Sequence, residues 1–137
     1  MYMDISTTDY RGAGDRPLGI AKLAEIIRKE RDKNPSLLLI DNGDLLQGTP
    51  FMYHYAKYGR TGVHPAAQLL NILKYDAAII GNHEFNYGLE LLNHTIEDAA
   101  CPYLSANIVD SFGGHPAFGL PYRMFEPQEA FGLPCWA

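Results

Sequence analysis

Long apolar runs are missing from this sequence of 137 residues. The best of them, Leu37 to Ile40 and Ala77 to Ile80, fall far short of the ~20 residues a membrane-spanning helix needs. Basic clusters are missing too. Eleven Lys and Arg face 16 Asp and Glu, for a net charge of −5, which argues against a non-specific nucleic-acid or anionic-membrane surface. Cysteine is scarce: Cys101 and Cys135 could form one disulfide at most, so this is no disulfide scaffold. The first ten residues hold no basic segment, no apolar stretch and no small-residue cleavage site, so no secretory signal is expected within the chain. Gly12-Ala13-Gly14 has no third glycine at the right spacing and follows no strand, which makes a dinucleotide-binding turn a poor reading. What is present, 47% hydrophobic and 20% charged residues, is the balance of an ordinary globular chain of one domain.

Residues 1–17 are polar and without period, and read as a loop segment. From Leu18 onward Ile20, Leu23, Ala24 and Ile27 recur at helical spacing, with Lys22, Glu25, Arg28 and Lys29 opposite. Pro17 suits the first turn of that helix and Asn34-Pro35 its end. Leu37 to Ile40 reads as a strand buried on both faces, as in a parallel sheet. Helices are expected over Phe51 to Lys57, from His64-Pro65 through Leu73, and along Leu89, Leu92 and Ile96; strands are expected over Asp76 to Ile80 and Tyr103 to Ala106. Alternating strands and helices of this length predict an α/β fold with a parallel sheet. Beyond Asp110 the composition shifts: residues 111–137 hold four of the nine prolines, six aromatics and three charges, with no strand or helix pattern. This divergent tail is expected to pack against something outside the chain. Ala-Phe-Gly-Leu-Pro occurs there twice, which is too few copies for a solenoid.

Ligands of open parallel sheets bind beyond the carboxyl ends of the strands. Two segments fall at that edge: Asp41-Asn42-Gly43-Asp44 and Gly81-Asn82-His83-Glu84. Carboxylate, amide and imidazole together suit a divalent cation. Asp, Asn and Gly are equally the ordinary residues of turns, and pattern alone leaves both readings open.

Gly43-Asp44 with flanking Asp41-Asn42 and Gln47-Gly48, followed by Gly81-Asn82-His83-Glu84-Phe85-Asn86-Tyr87-Gly88, resembles the calcineurin-like metallophosphoesterases over about residues 18–110. Within that superfamily it is similar to the 5′-nucleotidase group. Asn86 points to the 2′,3′-cyclic-nucleotide 2′-phosphodiesterase/3′-nucleotidase branch, because the 5′-nucleotidase and UDP-sugar hydrolase branch usually has Asp there. The resemblance implies the parallel-sheet portion of an α/β/β/α sandwich and hydrolysis of nucleotide phosphoesters by metal-activated water. It implies two divalent ions (Mn, Zn, Fe, Co or Ca), with Asp44 bridging them and Asn82 as an amide ligand. His83 would stand beside the phosphate, to stabilise its oxygens or protonate the leaving group. Asp41, Glu84 and Asn86 would stand behind these residues, Glu84 either as a supporting partner or as a favourable charge in a first helical turn. The implied substrate is a small nucleotide, with no nucleic-acid polymer and no membrane span involved.

The same resemblance marks what this sequence does not contain: the Asp-x-His of the first strand, the later Gly-His-x-His block and the C-terminal domain that holds the base. The chain is therefore expected to be an internal part of a larger, exported enzyme. It would pack there against the rest of its catalytic domain and a nucleotide-binding domain, and would be non-catalytic by itself. His54, His64, His94 and His115 are expected to be structural or solvent-exposed, and Cys101 a small buried apolar residue.

Overall fold

The computed structural model describes residues 19–59 and 61–126, together with the backbone of 7–8 and 15–16. Two short strands, β1 (Thr7–Thr8) and β2 (Asp15–Arg16), pair antiparallel with Thr7 opposite Arg16. The segment expected to be a loop thus contains a hairpin-like pairing, in strands too short to show any alternation in sequence. Pro17 lies outside the described residues.

Helix α1 (Ile20–Lys33) runs close to its expected span and ends at Asn34, ahead of Pro35. Its apolar stripe faces inward as expected, with Ile27 buried and Ile20, Leu23 and Ala24 half-buried, while Ile26, outside the stripe, stays largely exposed. Its anchor is polar. The Arg31 guanidinium donates at 2.5 Å to both the Leu73 and Lys74 carbonyls, satisfying acceptors that the end of a later helix leaves without partners.

Strand β3 (Ile40–Asp41) is followed by α2 (Pro50–Tyr58) and α3 (Pro65–Ile72), then β4 (Ala77–Ile79), a 3₁₀ turn (Asn82–Phe85), α4 (Leu89–Asp98) and β5 (Tyr103–Leu104). Each of α2 and α3 begins with proline behind a side-chain cap. Thr49 Oγ1 accepts from the Met52 N–H at 3.2 Å, and His64 Nδ1 from the Ala66 N–H at 3.2 Å. The three strands form one parallel sheet in the order β3-β4-β5, with Ile40 opposite Ala77 and Ala78 opposite Tyr103. This is the α/β fold with a parallel sheet that the sequence predicts.

The core lies between the sheet and α2, α3 and α4. Leu45, Leu46, Met52, Leu70 and Leu92 are almost wholly buried there, each worth roughly 1.5–3 kcal/mol of burial. Ala77 and Ala78, both fully buried on the central strand, let neighbouring elements approach closely. The expectation that Leu37 to Ile40 is buried on both faces fails. Leu38 is 51% and Ile40 48% exposed, whereas Leu39 packs against the core. Within the described residues β3 is an edge strand covered on one face only, and its side chains alternate accordingly.

The stretch after Asp110 forms no regular strand or helix through residue 126, but it is tied to the sheet. Leu120 makes a single parallel bridge to Leu104, and Phe118 meets Phe85 edge-on at 5.6 Å. Phe112, Tyr122 and Met124 remain exposed.

Candidate metal and phosphate site

Because Asp41 lies opposite Ala78 on parallel neighbours, the chain leaves β3 and β4 at the same sheet edge. The first loop turns immediately. Asp41 Oδ2 accepts from the Gly43 N–H at 3.0 Å, an Asx turn, and Gly43 (φ 86°) and Asp44 (φ 60°) are both left-handed. For a residue with a Cβ that conformation costs roughly 1–2 kcal/mol. The cost at Asp44 is offset by what its backbone reaches on the other loop.

That partner is Glu84. Its carboxylate, 1% exposed, accepts from the Asp44 N–H at 2.9 Å, the Leu45 N–H at 2.6 Å, the Leu46 N–H at 3.3 Å and the Gly81 N–H at 2.7 Å. One side chain therefore holds the two loops together through four main-chain donors. Neither supporting partner of a ligand nor first-turn charge describes it fully: Glu84 is the brace of the crevice.

With the loops so joined, Asp44 Oδ1 accepts from the His83 N–H at 3.0 Å, and Asn82 and His83 are exposed at the crevice rim. The backbones touch as well. A Cβ on Gly81 would stand 2.5 Å from Asp44 Oδ1, 2.8 Å from Asp44 N and 2.8 Å from Glu84 Oε2. Gly81→Ala is accordingly expected to cost roughly 1–3 kcal/mol as overpacking, read as a lower urea midpoint with altered Asp44 and His83 amide resonances. An unchanged midpoint would contradict this packing.

Asn86 closes the 3₁₀ turn and places its amide nitrogen 2.9 Å from His83 Nδ1; the same nitrogen donates to Gln47 Oε1 on the first loop. Beyond it lies a cavity of about 320 Å³ lined by Tyr53, Ala56, Lys57, Asn86 and Tyr87. The structure thus brings together Asp44, Asn82, His83, Glu84 and Asn86. Asp41 is not at the rim but buried under the crevice, and that burial, with Glu84 and Asp44 nearby, raises its pKa to about 6. Sequence reasoning included Gln47 in the motif of the first loop but missed its contact with Asn86.

The other histidines are structural or exposed, as expected. His64 caps α3, and its imidazole meets the Tyr55 ring edge-on. His94 lies 3.2 Å from Asp98, and His54 and His115 face solvent. Cys101 is buried with a free thiol; Cys135 lies outside the described residues.

A solved chain of a calcineurin-like phosphoesterase, YfkN from Bacillus subtilis, superposes on this fold with a TM-score of 0.74 at 40% identity, over 85% of this chain and 37% of that one. The chain belongs to the calcineurin-like phosphoesterases. In sequence, the chain is 42% identical over 118 residues to the trifunctional nucleotide phosphoesterase protein YfkN of Bacillus subtilis. It is 39% identical over 119 residues to the 2′,3′-cyclic-nucleotide 2′-phosphodiesterase/3′-nucleotidase of Salmonella typhimurium. These alignments cover 82% and 85% of the chain but only 8% and 18% of the relatives' lengths. No family model matches the chain.

As donors toward a divalent ion, the exposed Asp44 carboxylate and Asn82 amide fit in kind. They do not suffice in number. Among the described residues, no three His, Cys, Asp or Glu side chains stand close enough to share an ion.

Proposed function

We propose that this chain forms one side of the active site of a larger metal-dependent enzyme hydrolysing nucleotide phosphoesters, in particular 2′,3′-cyclic nucleotides and 3′-nucleotides. The observation that carries the reading is the meeting of the two loops, with Asp44 Oδ1 3.0 Å from the His83 amide nitrogen. Neighbouring parallel strands deliver a carboxylate, an amide and an imidazole to one open rim.

Asp44 and Asn82 would hold the divalent ions, which when bound supply Lewis acidity toward the phosphoryl group and a water activated for attack. Asn82 is neutral and adds no negative charge that would repel the phosphate. His83 projects beside that position and contributes a hydrogen bond to the phosphoryl oxygens or the leaving oxygen. Glu84 spends its charge on buried N–H groups, so it fixes the loops without presenting a second carboxylate to an anionic substrate.

The test is an assay of the longer protein, supplemented with Mn²⁺, against 2′,3′-cyclic AMP, 3′-AMP and 5′-AMP. His83→Ala is expected to lower turnover ~10²–10³-fold, the effect of removing one preorganised donor. Unchanged turnover would overturn the role given to His83. Preference for 5′-AMP would favour the 5′-nucleotidase reading instead, against which Asn86 speaks.

A second reading concerns the isolated chain. Among the described residues no third donor stands beside Asp44 and Asn82, and this favours a non-catalytic polypeptide, so calorimetry on the 137 residues with Mn²⁺ or Zn²⁺ is expected to show no tight site. Two tight sites would contradict this.

A further inference from the structure

We propose that Gln47 is a positioning residue, which acts through the Asn86 amide to hold His83 in the tautomer that carries its proton on Nε2. Three side chains stand in line. Gln47 comes from the loop after β3, whereas His83 and Asn86 come from the turn after β4. The Asn86 amide nitrogen stands between Gln47 Oε1, to which it donates, and His83 Nδ1 at 2.9 Å. A primary amide carries two hydrogens and can serve both acceptors at once. A neutral imidazole that accepts at Nδ1 has its proton on Nε2, and the bond made by one ring nitrogen sets the state of the other.

Asn86 alone would not fix this. Turning its amide over would present Oδ1 to the ring and select the Nδ1–H form. With its own amide oriented as it stands here, Gln47 opposes the turn, because its carbonyl oxygen would then face the Asn86 oxygen, two acceptors with no proton between them; only a turn of both amides together would reverse the chain of bonds. The direction is the one the structure shows, with Gln47 Oε1 toward the Asn86 amide nitrogen.

The consequence rests on the reading of His83 as the group beside the phosphate. Held this way, the neutral ring already presents an N–H donor at Nε2. Of the two roles open to His83, the network selects a hydrogen bond to the phosphoryl oxygens. Delivery of a proton to the leaving group would require the doubly protonated ring.

The tautomer can be read without substrate or metal, so a failed hydrolysis assay would leave it untouched, and a wrong tautomer would leave the hydrolysis reading standing. The experiment is a two-bond ¹H–¹⁵N correlation of the imidazoles in the ¹⁵N-labelled 137-residue chain, at alkaline pH where an imidazole is neutral. His83 is expected in the Nε2–H form. Gln47→Ala is expected to lower the ratio of Nε2–H to Nδ1–H about tenfold, roughly what one neutral hydrogen bond is worth. Gln47→Glu, which retains an oxygen acceptor, is expected to preserve the ratio, and Asn86→Asp to convert His83 to Nδ1–H. An Nδ1–H ring in the wild-type chain, or an unchanged ratio in Gln47→Ala, would overturn the proposal. If Gln47→Ala does not fold, the wild-type and Gln47→Glu spectra still decide: Nδ1–H in either one refutes it.

Discussion

Glu84→Ala is expected to be among the most damaging truncations of the described residues, lowering stability by roughly 2–6 kcal/mol. The substitution removes the acceptor of four main-chain N–H groups, on Asp44, Leu45, Leu46 and Gly81. The Leu45 and Leu46 donors are buried and cost about 1–3 kcal/mol each when left without a partner, whereas those of Asp44 and Gly81 are half-buried and reach water more easily. Water entering the vacated space recovers part of that, so the sum is not fully additive. The remainder is still a large part of the stability of a small domain, about 5–15 kcal/mol. Glu84→Gln separates charge from geometry. One oxygen survives, but the new NH₂ faces donors that formerly had an acceptor, so an intermediate loss is expected. Urea denaturation followed by far-UV circular dichroism measures both. A Glu84→Ala midpoint within ~1 kcal/mol of wild type would show that the two loops are held by something else.

The second large effect is one of pH. Asp41, buried beneath the crevice beside Glu84 and Asp44, has its pKa raised to about 6. The folded chain keeps that proton while the unfolded chain releases it near 3.8, so stability falls as pH rises through this window. His64 works in the opposite sense. Burial, and to a lesser extent neighbouring His94, lower its pKa to about 4, with Asp98 pulling the other way. The unfolded chain takes up a proton near 6.5, before the folded chain does, so stability falls as pH drops from there toward 4. At ~1.4 kcal/mol per pKa unit each group is worth about 3 kcal/mol, and between pH 4 and 6.5 they largely cancel. Asp41→Asn is therefore expected to match wild type near pH 4 and to exceed it by up to about 3 kcal/mol at pH 7. His64→Asn, which keeps an acceptor for the Ala66 N–H, is expected to remove the opposing slope. Urea midpoints across pH 4–7.5 provide the check, and parallel curves for wild type and Asp41→Asn would refute the assignment.

Much of this was legible in sequence because helices and strand ends are written locally. The stripe from Ile20 to Ile27 gave α1, and His64-Pro65 announced a cap and a first turn. The glycine-bearing tetrapeptides located the sheet edge. The exposure of Leu38 and Ile40 was not legible, because an unbroken apolar run does not say which of its faces a neighbour will cover. Glu84 shows the boundary most clearly. Its bond to the Gly81 N–H spans three residues and belongs to a helix start, so position alone hints at it. Its bonds to Asp44, Leu45 and Leu46 span 38 to 40 residues. Only the register of β3 against β4 creates them. The same holds for Gln47 and Asn86, 39 residues apart.

The Glu84 brace has a further consequence, which concerns how such a site can change over time. It grips peptide groups and ignores the side chains of Asn82 and His83, which are exposed at the rim. The information that shapes the crevice is thus held apart from the information that selects the chemistry. Substitutions at Asn82 or His83 can alter what the rim binds while the loops beneath keep their course, so new specificities can be tried on an architecture that does not depend on them.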